Sequence, residues 1–252
     1  MVMMLENRTI LITGAARGLG REIALACGRA GARLVLADID EAGAGETARL
    51  VAQDGGTARA VHVDLASPES IKALASNIVA GEGRLDGLVN NGAIATGIGG
   101  KTLDEIDIET WDRVMTVNVR GLWLMTRAAA PLMERSGGGR IVNIASDTAI
   151  WGAPRLLSYV ASKGAVMSMT HSLARELGPK GIGVTAVAPG ILTTESTEYV
   201  PEERHKMYQL GRAVPGPQGP DDVTGTIVFL LGPDALTLTG QVLPVNRGFV
   251  FK

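Results

Sequence analysis

Arg8-Thr9-Ile10-Leu11-Ile12-Thr13-Gly14-Ala15-Ala16-Arg17-Gly18-Leu19-Gly20 is the stretch on which the reading of this chain turns. Its first half is a short, β-branched-rich apolar run, the pattern of a buried strand. Its second half is a glycine-rich turn, and beyond it Ile23, Leu25 and Cys27 recur at helical spacing between Arg21 and Ala30. Strand, glycine turn and helix in succession form the context in which such a turn binds a dinucleotide. Glycines let the backbone approach a pyrophosphate, and the helix N-terminus offers free N–H groups and the positive end of its dipole. Gly14, Arg17, Gly18, Leu19 and Gly20 are therefore candidate ligand contacts. The spacing is G-x-x-x-G-x-G rather than G-x-G-x-x-G, so the turn alone is also compatible with no ligand at all.

Outward from that turn the chain alternates. A second strand, Arg33 to Ala37, ends in Asp38, 18 residues beyond Gly20, with Ile39 next to it. An acidic residue at about this distance accepts hydrogen bonds from the adenosine ribose and repels a 2′-phosphate, which predicts NAD rather than NADP. Arg17 argues the other way, as a partner for that phosphate, but it can point to solvent, whereas a carboxylate at the ribose is a direct penalty; the alternative role for Asp38 is a helix N-cap. Helical segments are expected at Asp40 to Asp54 and from Ser67, with Pro68 at the first position. Strands are expected at Ala58 to Val63, ending at Asp64 and Leu65, and at Leu85 to Val89, followed by Asn90-Asn91-Gly92-Ala93. Thr110 to Met133 reads as one or two long helices carrying Asn118. Arg140 to Ala145 is a strand ending at Ser146, and Gly183 to Ala188 a strand ending at Pro189-Gly190. Thr193 to Gly219 reads as polar and irregular, before a helix near Asp221 to Leu231 and a last strand at Gln241 to Val245. Strands alternating with helices predict an α/β fold, a doubly wound Rossmann-type parallel sheet forming a single domain over residues 1–252. Ligands of such sheets bind beyond the carboxyl ends of the strands, where Gly14, Asp38, Asp64, Asn91, Ser146 and Pro189 all fall.

Ser158-Tyr159-Val160-Ala161-Ser162-Lys163 carries the chemistry. Leu156, Val160, Ala165, Val166 and Met169 place it on a helix, where residues four apart share a face. A tyrosine ordinarily titrates near pH 10, and an ammonium held beside it is expected to lower that value. Such a phenol can serve as a general acid or base. Any amphipathic helix can carry Tyr-x-x-x-Lys, so its weight comes from the converging strand ends.

Composition narrows the alternatives. Apolar residues make up 46% of 252, enough for a large core, and Lys plus Arg (24) nearly balances Asp plus Glu (26). Without a basic excess or a basic run, nucleic acid and anionic membrane are not expected partners. The lone Cys27 excludes a disulfide within the chain and reads as a small core hydrophobe. His62, His171 and His205 lack metal-ligand spacing. No apolar run approaches the roughly 18 residues of a membrane span, and the short apolar start, Met1 to Leu5, lacks a basic lead. A soluble, cytoplasmic protein is expected.

Taken together, Thr13 to Gly20, Asn90-Asn91, Asn118, Ser146, Tyr159 with Lys163, and Pro189-Gly190 followed by Thr194 resemble the short-chain dehydrogenase/reductase family over nearly the whole chain. Ser146 precedes Tyr159 by 13 residues, the separation usual there. The resemblance implies that Tyr159 exchanges a proton with the substrate oxygen and that Ser146 hydrogen-bonds that oxygen. It implies that Lys163 lowers the tyrosine's pKa and binds the nicotinamide ribose, and that Asn118 holds a relaying water. Leu192 and Thr194 would fix the carboxamide, with Asp64, Leu65 and Asn91 near the adenosine. It further implies a homotetramer, in which Gly248-Phe249-Val250-Phe251 would suit burial. Three departures stand out. Gly92-Ala93 replaces the usual Ala-Gly, Arg247-Gly248 replaces a glycine pair, and Thr185 stands where asparagine is common.

Two rivals are formal. Ala95 to Thr102 fits a loose nucleotide-loop pattern, but no strand runs directly into it and no clean helix follows. A non-catalytic NAD-binding sensor on the same fold is the other, and the complete Ser146, Tyr159 and Lys163 set argues against it. Substrate specificity is expected from Thr148 to Leu157 and from a lid at 191–219. Trp151, Leu156, Leu157, Tyr199, Met207 and Tyr208 suggest an apolar or aromatic wall for a secondary alcohol or ketone, or else a subunit contact. Arg155 and Arg247 are candidate partners for a substrate carboxylate, or simply solvated. Reversible NAD-linked alcohol oxidation is the expected reaction, with a 3-oxoacyl reductase as the alternative.

Overall fold

In the computed structural model, residues 3–251 are described. Met1 and Val2, the start of the apolar N-terminal run, and Lys252 lie outside them. The expected alternation is present. It runs β1 (Thr9–Thr13), α1 (Gly18–Arg29), β2 (Arg33–Asp38), α2 (Glu41–Gln53), β3 (Thr57–His62), α3 (Pro68–Gly81) and β4 (Gly87–Asn90). It continues with α4 (Ile108–Met115), α5 (Leu122–Arg135), β5 (Gly139–Ile144), α6 (Thr148–Trp151), α7 (Leu157–Leu177) and β6 (Ile182–Pro189). The last elements are α8 (Glu202–Gly211), α9 (Asp221–Leu231) and β7 (Val242–Val245).

All seven strands pair in parallel, in the order β3-β2-β1-β4-β5-β6-β7. A parallel sheet covered on both faces needs strands that are apolar throughout, and β1 and β6 are buried at every position. Alternation sorts their side chains into two cores. Ile10 and Ile12 pack with Ile23 and Cys27 of α1 and Val223 and Ile227 of α9. Leu11 packs on the other face with Leu74 of α3, Met125 of α5 and Leu177 of α7.

Caps set the helix starts. Asp40 accepts from the Gly43 N–H at 2.9 Å and caps α2, so Asp38 is not the cap and its carboxylate serves elsewhere. Ser67 caps α3 through the Ser70 N–H, with Pro68 first. The glycine turn needs its glycines: Gly14 has φ 67°, and a Cβ there would lie 2.6 Å from the Gly92 Cα.

Three details depart from expectation. The Thr110 to Met133 helix starts at Ile108, and its middle, Thr116–Gly121, winds as a π-helix around Asn118. The stretch read as irregular holds α8, whose polar sequence buries only Tyr208 and so shows no apolar stripe. Residues 91–102 form a loop leading only to a short 3₁₀ turn at Leu103–Glu105, which removes the nucleotide-loop rival.

Candidate active site

The strand order reverses direction between β1 and β4, and a crevice opens at such a switch point. It is closed at sheet level by hydrogen bonds. Thr13 Oγ1 accepts from the Asn91 and Gly92 N–H groups at 3.1 and 3.0 Å. Asn91 Nδ2 donates to the Thr13 and Gly14 carbonyls at 3.1 and 2.9 Å. Asn91 thus clamps the glycine turn while also facing the cavity above it. That cavity has a volume of about 830 Å³, the scale of a ligand site.

One end of the cavity is built for a dinucleotide. Gly14, Arg17, Leu19 and Gly20 line it with Asp38, Ile39, Asp64 and Leu65. A Cβ on Gly20 would collide with the Gly14 carbonyl oxygen, so only glycine permits the close pass. Helix α1 has no acidic residue in its first turn, which leaves its positive end free for an anion. Asp38 is fixed by accepting from Ala16 N–H at 2.9 Å and Asp40 N–H at 3.0 Å. Arg17 is exposed at the N-cap. The cradle and the carboxylate suit an adenosine diphosphate. Gly18, with φ 54°, shapes the turn without lining the cavity. Ala93 lines the cavity and has no left-handed φ, so the Gly92-Ala93 exchange leaves ordinary backbone there. Gly92 instead supplies the close approach to Gly14.

The other end gathers Ser146, Tyr159, Lys163, Pro189, Leu192 and Thr194. Ser146 Oγ accepts from Thr148 Oγ1 at 2.8 Å. Lys163 lies on the buried stripe of α7 with Val166, Thr170 and Ala174, and it is only 4% exposed. Burial pulls its ammonium down to about 8. The ammonium donates to the Ile144 carbonyl at 2.7 Å and stands 5.6 Å from the Tyr159 ring centre. The lowered phenol expected from the helical pair is not what this arrangement produces. Desolvation pushes Tyr159 up to about 12, against the pull of the nearby Ser146 hydroxyl. The spacing brings the two side chains together, and the ammonium gives one of its three N–H donors to the Ile144 carbonyl and keeps two.

Asn118 and Trp151 do not line the cavity. Asn118 Nδ2 donates to the Ile94 carbonyl at 3.0 Å and to Ser162 Oγ at 3.1 Å, and its Oδ1 accepts from Ile94 N–H at 2.8 Å. It ties the loop after β4 to α7. Trp151 stands behind the wall: its Nε1 donates to the Tyr208 hydroxyl at 2.9 Å. Tyr208, which does line the cavity, donates to Asp147 Oδ1 at 2.7 Å and stacks on Phe249 at 4.1 Å. Phe249 of the C-terminal segment is therefore used within the chain, whereas Phe251 is exposed. Arg247, at φ 56°, donates to the Pro217 carbonyl at 2.8 Å and does not line the cavity, which removes it as a substrate partner.

Sequence reading missed Asp147 and Arg204. Asp147 follows Ser146 directly and is fully buried, held by Tyr208 and by Asn246 Nδ2 at 3.3 Å. No spacing pattern marks such a residue. Burial raises its carboxyl to about 6 despite these partners. Between the ordinary carboxyl value and 6 the folded chain holds a proton that the unfolded chain releases, so stability falls as pH rises through that window. The loss is about 3 kcal/mol for a shift of this size. Denaturant melts from pH 4 to 7 are expected to show that slope in the wild type and lose it in Asp147→Asn.

The comparisons agree with this geometry. A family model described as enoyl-(acyl carrier protein) reductase matches residues 14–250. The chain is 33% identical to 2-(S)-hydroxypropyl-CoM dehydrogenase 3 of Xanthobacter autotrophicus, over 97% of each. It is 34% identical to a 3-oxoacyl-[acyl-carrier-protein] reductase of Thermotoga maritima, over 98% of this chain and 100% of that one. A solved protein from Beutenbergia cavernae with NADP bound at low occupancy superposes with a TM-score of 0.92, at 36% identity and 99% coverage of both chains. This chain belongs to the short-chain dehydrogenase/reductase family. It is an oxidoreductase that acts on CH–OH groups with a nicotinamide cofactor. Among the described residues no helix is long and apolar enough to cross a membrane, and no group of side chains could hold a metal ion.

Proposed function

We propose that this protein interconverts an apolar or aromatic secondary alcohol and its ketone, with NAD as cofactor and Tyr159 as the acid/base. The observation that carries the reading is one cavity with the glycine cradle and Asp38 at one end and Ser146, Tyr159 and Lys163 at the other. The nicotinamide, when bound, supplies or accepts the hydride. Ser146 holds the substrate oxygen, and Tyr159 passes it a proton in reduction or takes one in oxidation. Lys163 is placed to bind the nicotinamide ribose, Leu192 and Thr194 the carboxamide, and Asn91, Asp64 and Leu65 the adenosine side. Asn118 positions the loop after β4; both its amide N–H groups are engaged by Ile94 and Ser162, so the second lone pair of its Oδ1 is what it has to offer a relaying water.

Asp38 supports NAD, since a carboxylate held by two backbone N–H groups cannot turn away from a 2′-phosphate. A 3-oxoacyl substrate is the second reading, supported by the 34% identity to a 3-oxoacyl-[acyl-carrier-protein] reductase over nearly the whole of both chains. The segment 191–219, with α8 inside it, serves as the substrate lid. Trp123 of α5 is 44% exposed with Arg127 over its ring, which supports a homo-oligomer built through that helix. Absorbance at the reduced-nicotinamide band tests the reading, with NAD and NADP in both directions across secondary alcohols, ketones and 3-oxoacyl thioesters. Turnover of a secondary alcohol with NAD is expected. Cofactor binding without turnover of any of them would instead mark a sensor.

A further inference from the structure

Two guanidinium groups stand on the catalytic side of the cavity without an acid to pair with. Arg155 and Arg204 both line it, beside Leu156, Tyr199 and Tyr208. Arg204 of α8 donates to the Pro154 carbonyl at 3.1 Å and lies over the Trp151 ring at 5.9 Å, which holds it against the loop that carries Arg155. Its charge favours the ionised forms of Tyr199 and Tyr208, although burial dominates both. Tyr199 is in turn near enough to bear on Tyr159. Arg204 is therefore close to the reacting end rather than out on the lid's far face.

Arg155 has φ 56°, a left-handed conformation that disfavours a residue with a Cβ. It is held there by the Gly100 N–H, which donates to its carbonyl at 2.8 Å. Among the described residues neither arginine forms a salt bridge. Glu105, whose carboxyl Arg155 helps to lower, is already bonded to the Thr102 N–H and hydroxyl at 2.7 and 2.8 Å and does not line the cavity. The acids that do line it, Asp38 as the last residue of β2 and Asp64 just after β3, stand at the dinucleotide end. The catalytic end thus has positive charge with nothing built to answer it, beside an apolar wall that includes Leu156, Leu192 and Val200. A carboxylate or similar oxyanion matches the planar fork of an arginine donor set. Arg204 spends one of its five N–H donors on Pro154 and keeps the rest.

We infer that the substrate carries an oxyanion, a carboxylate or its sulfonate or phosphate equivalent, a few bonds from the carbinol carbon, and that Arg155 and Arg204 bind it. This rests on the oxidoreductase reading above and narrows it: an apolar spacer with a charged end. Arg204 is half-buried and Arg155 exposed at the mouth of the cavity, so a neutral ligand would leave the half-buried guanidinium without an anionic partner.

The test is a matched series, CH₃–CH(OH)–(CH₂)ₙ–COO⁻ and its methyl esters with n from 1 to 5, and the corresponding ketones, run beside the broader alcohol and ketone panel. At one chain length the acid is expected to exceed its ester in kcat/KM by about tenfold or more, the scale of one charged hydrogen bond. Arg155→Asn, which tolerates the left-handed backbone, and Arg204→Gln should each lower the acid-to-ester ratio about tenfold through the KM of the acid. Arg155→Lys should keep much of it, and rising salt should erode it. Sulfonate and phosphate analogues of the preferred length then rank the headgroup. Equal kcat/KM for acids and esters at every length would overturn the inference. So would an acid preference that survives both neutral substitutions, or turnover of unrelated neutral alcohols with neither series accepted. Failure of every compound in both series and in the panel would instead overturn the oxidoreductase reading.

Discussion

Tyr159→Phe is expected to lower kcat by about 10²–10⁴-fold, the usual worth of a positioned proton donor, while leaving cofactor affinity and the thermal midpoint near wild type. The phenylalanine fills the same half-buried place on α7, and among the described residues no neighbour depends on the hydroxyl for its only bond. What disappears is the proton that the substrate oxygen exchanges. Single-turnover reduction followed at the reduced-nicotinamide band separates this from slow product release, because the loss should appear in the first turnover. A variant that kept more than a tenth of wild-type kcat would transfer the proton role elsewhere, with Ser146 the nearest hydroxyl. Because desolvation holds the phenol near 12, reduction should stay level through neutral pH, and oxidation should keep rising into the alkaline range.

Asp38→Asn is expected to shift the NADP-to-NAD ratio of kcat/KM towards NADP by about 10²-fold, given the cost of opposing charges a few ångströms apart near a surface. Asparagine keeps an acceptor for only one of the Ala16 and Asp40 N–H groups, which the two carboxylate oxygens accept separately, so a thermal melt beside the kinetics separates loss of charge from a change in the turn. Arg17, exposed beside it, should then become useful. Adding Arg17→Ala to Asp38→Asn is expected to take back part of the gain, whereas Arg17→Ala alone should matter little with NAD. Paired initial-rate measurements with both nucleotides decide it. A wild-type preference for NADP would mean that Arg17 outweighs the carboxylate.

Much of this was legible in the chain because the signals are local and periodic. The buried strands announce themselves as apolar runs, and the glycine turn, Asp38, Ser146 and Pro189 follow strand ends by rule. Those positions do line one cavity. The misses share a cause: they depend on who touches whom across long separations. The polarity of α8 hides a helix because it buries one residue, Tyr208, and that residue's partners are 61 and 57 positions away at Asp147 and Trp151. Helical spacing puts Lys163 beside Tyr159, but it says nothing of the Ile144 carbonyl that accepts from the ammonium or of the burial that raises the phenol. Trp151 looks like pocket wall in a string of aromatic residues and proves to stand behind it.

The fastening of α8 has a consequence for how the protein opens. The helix buries one side chain and exposes most of the rest, with Leu210 84% exposed. It is pinned at a few points, by Tyr208 to Asp147, Arg204 to Pro154 and the stacked Phe249. Detaching it breaks those contacts and leaves the seven-stranded sheet untouched, so it can leave as a unit at a small fraction of the global unfolding free energy. Entry of substrate and escape of product then need no breathing of the core. With α8 as the lid proposed above, lid opening is expected to limit turnover, and loosening its fastening, as in Tyr208→Phe, is expected to change kcat through product release rather than through chemistry.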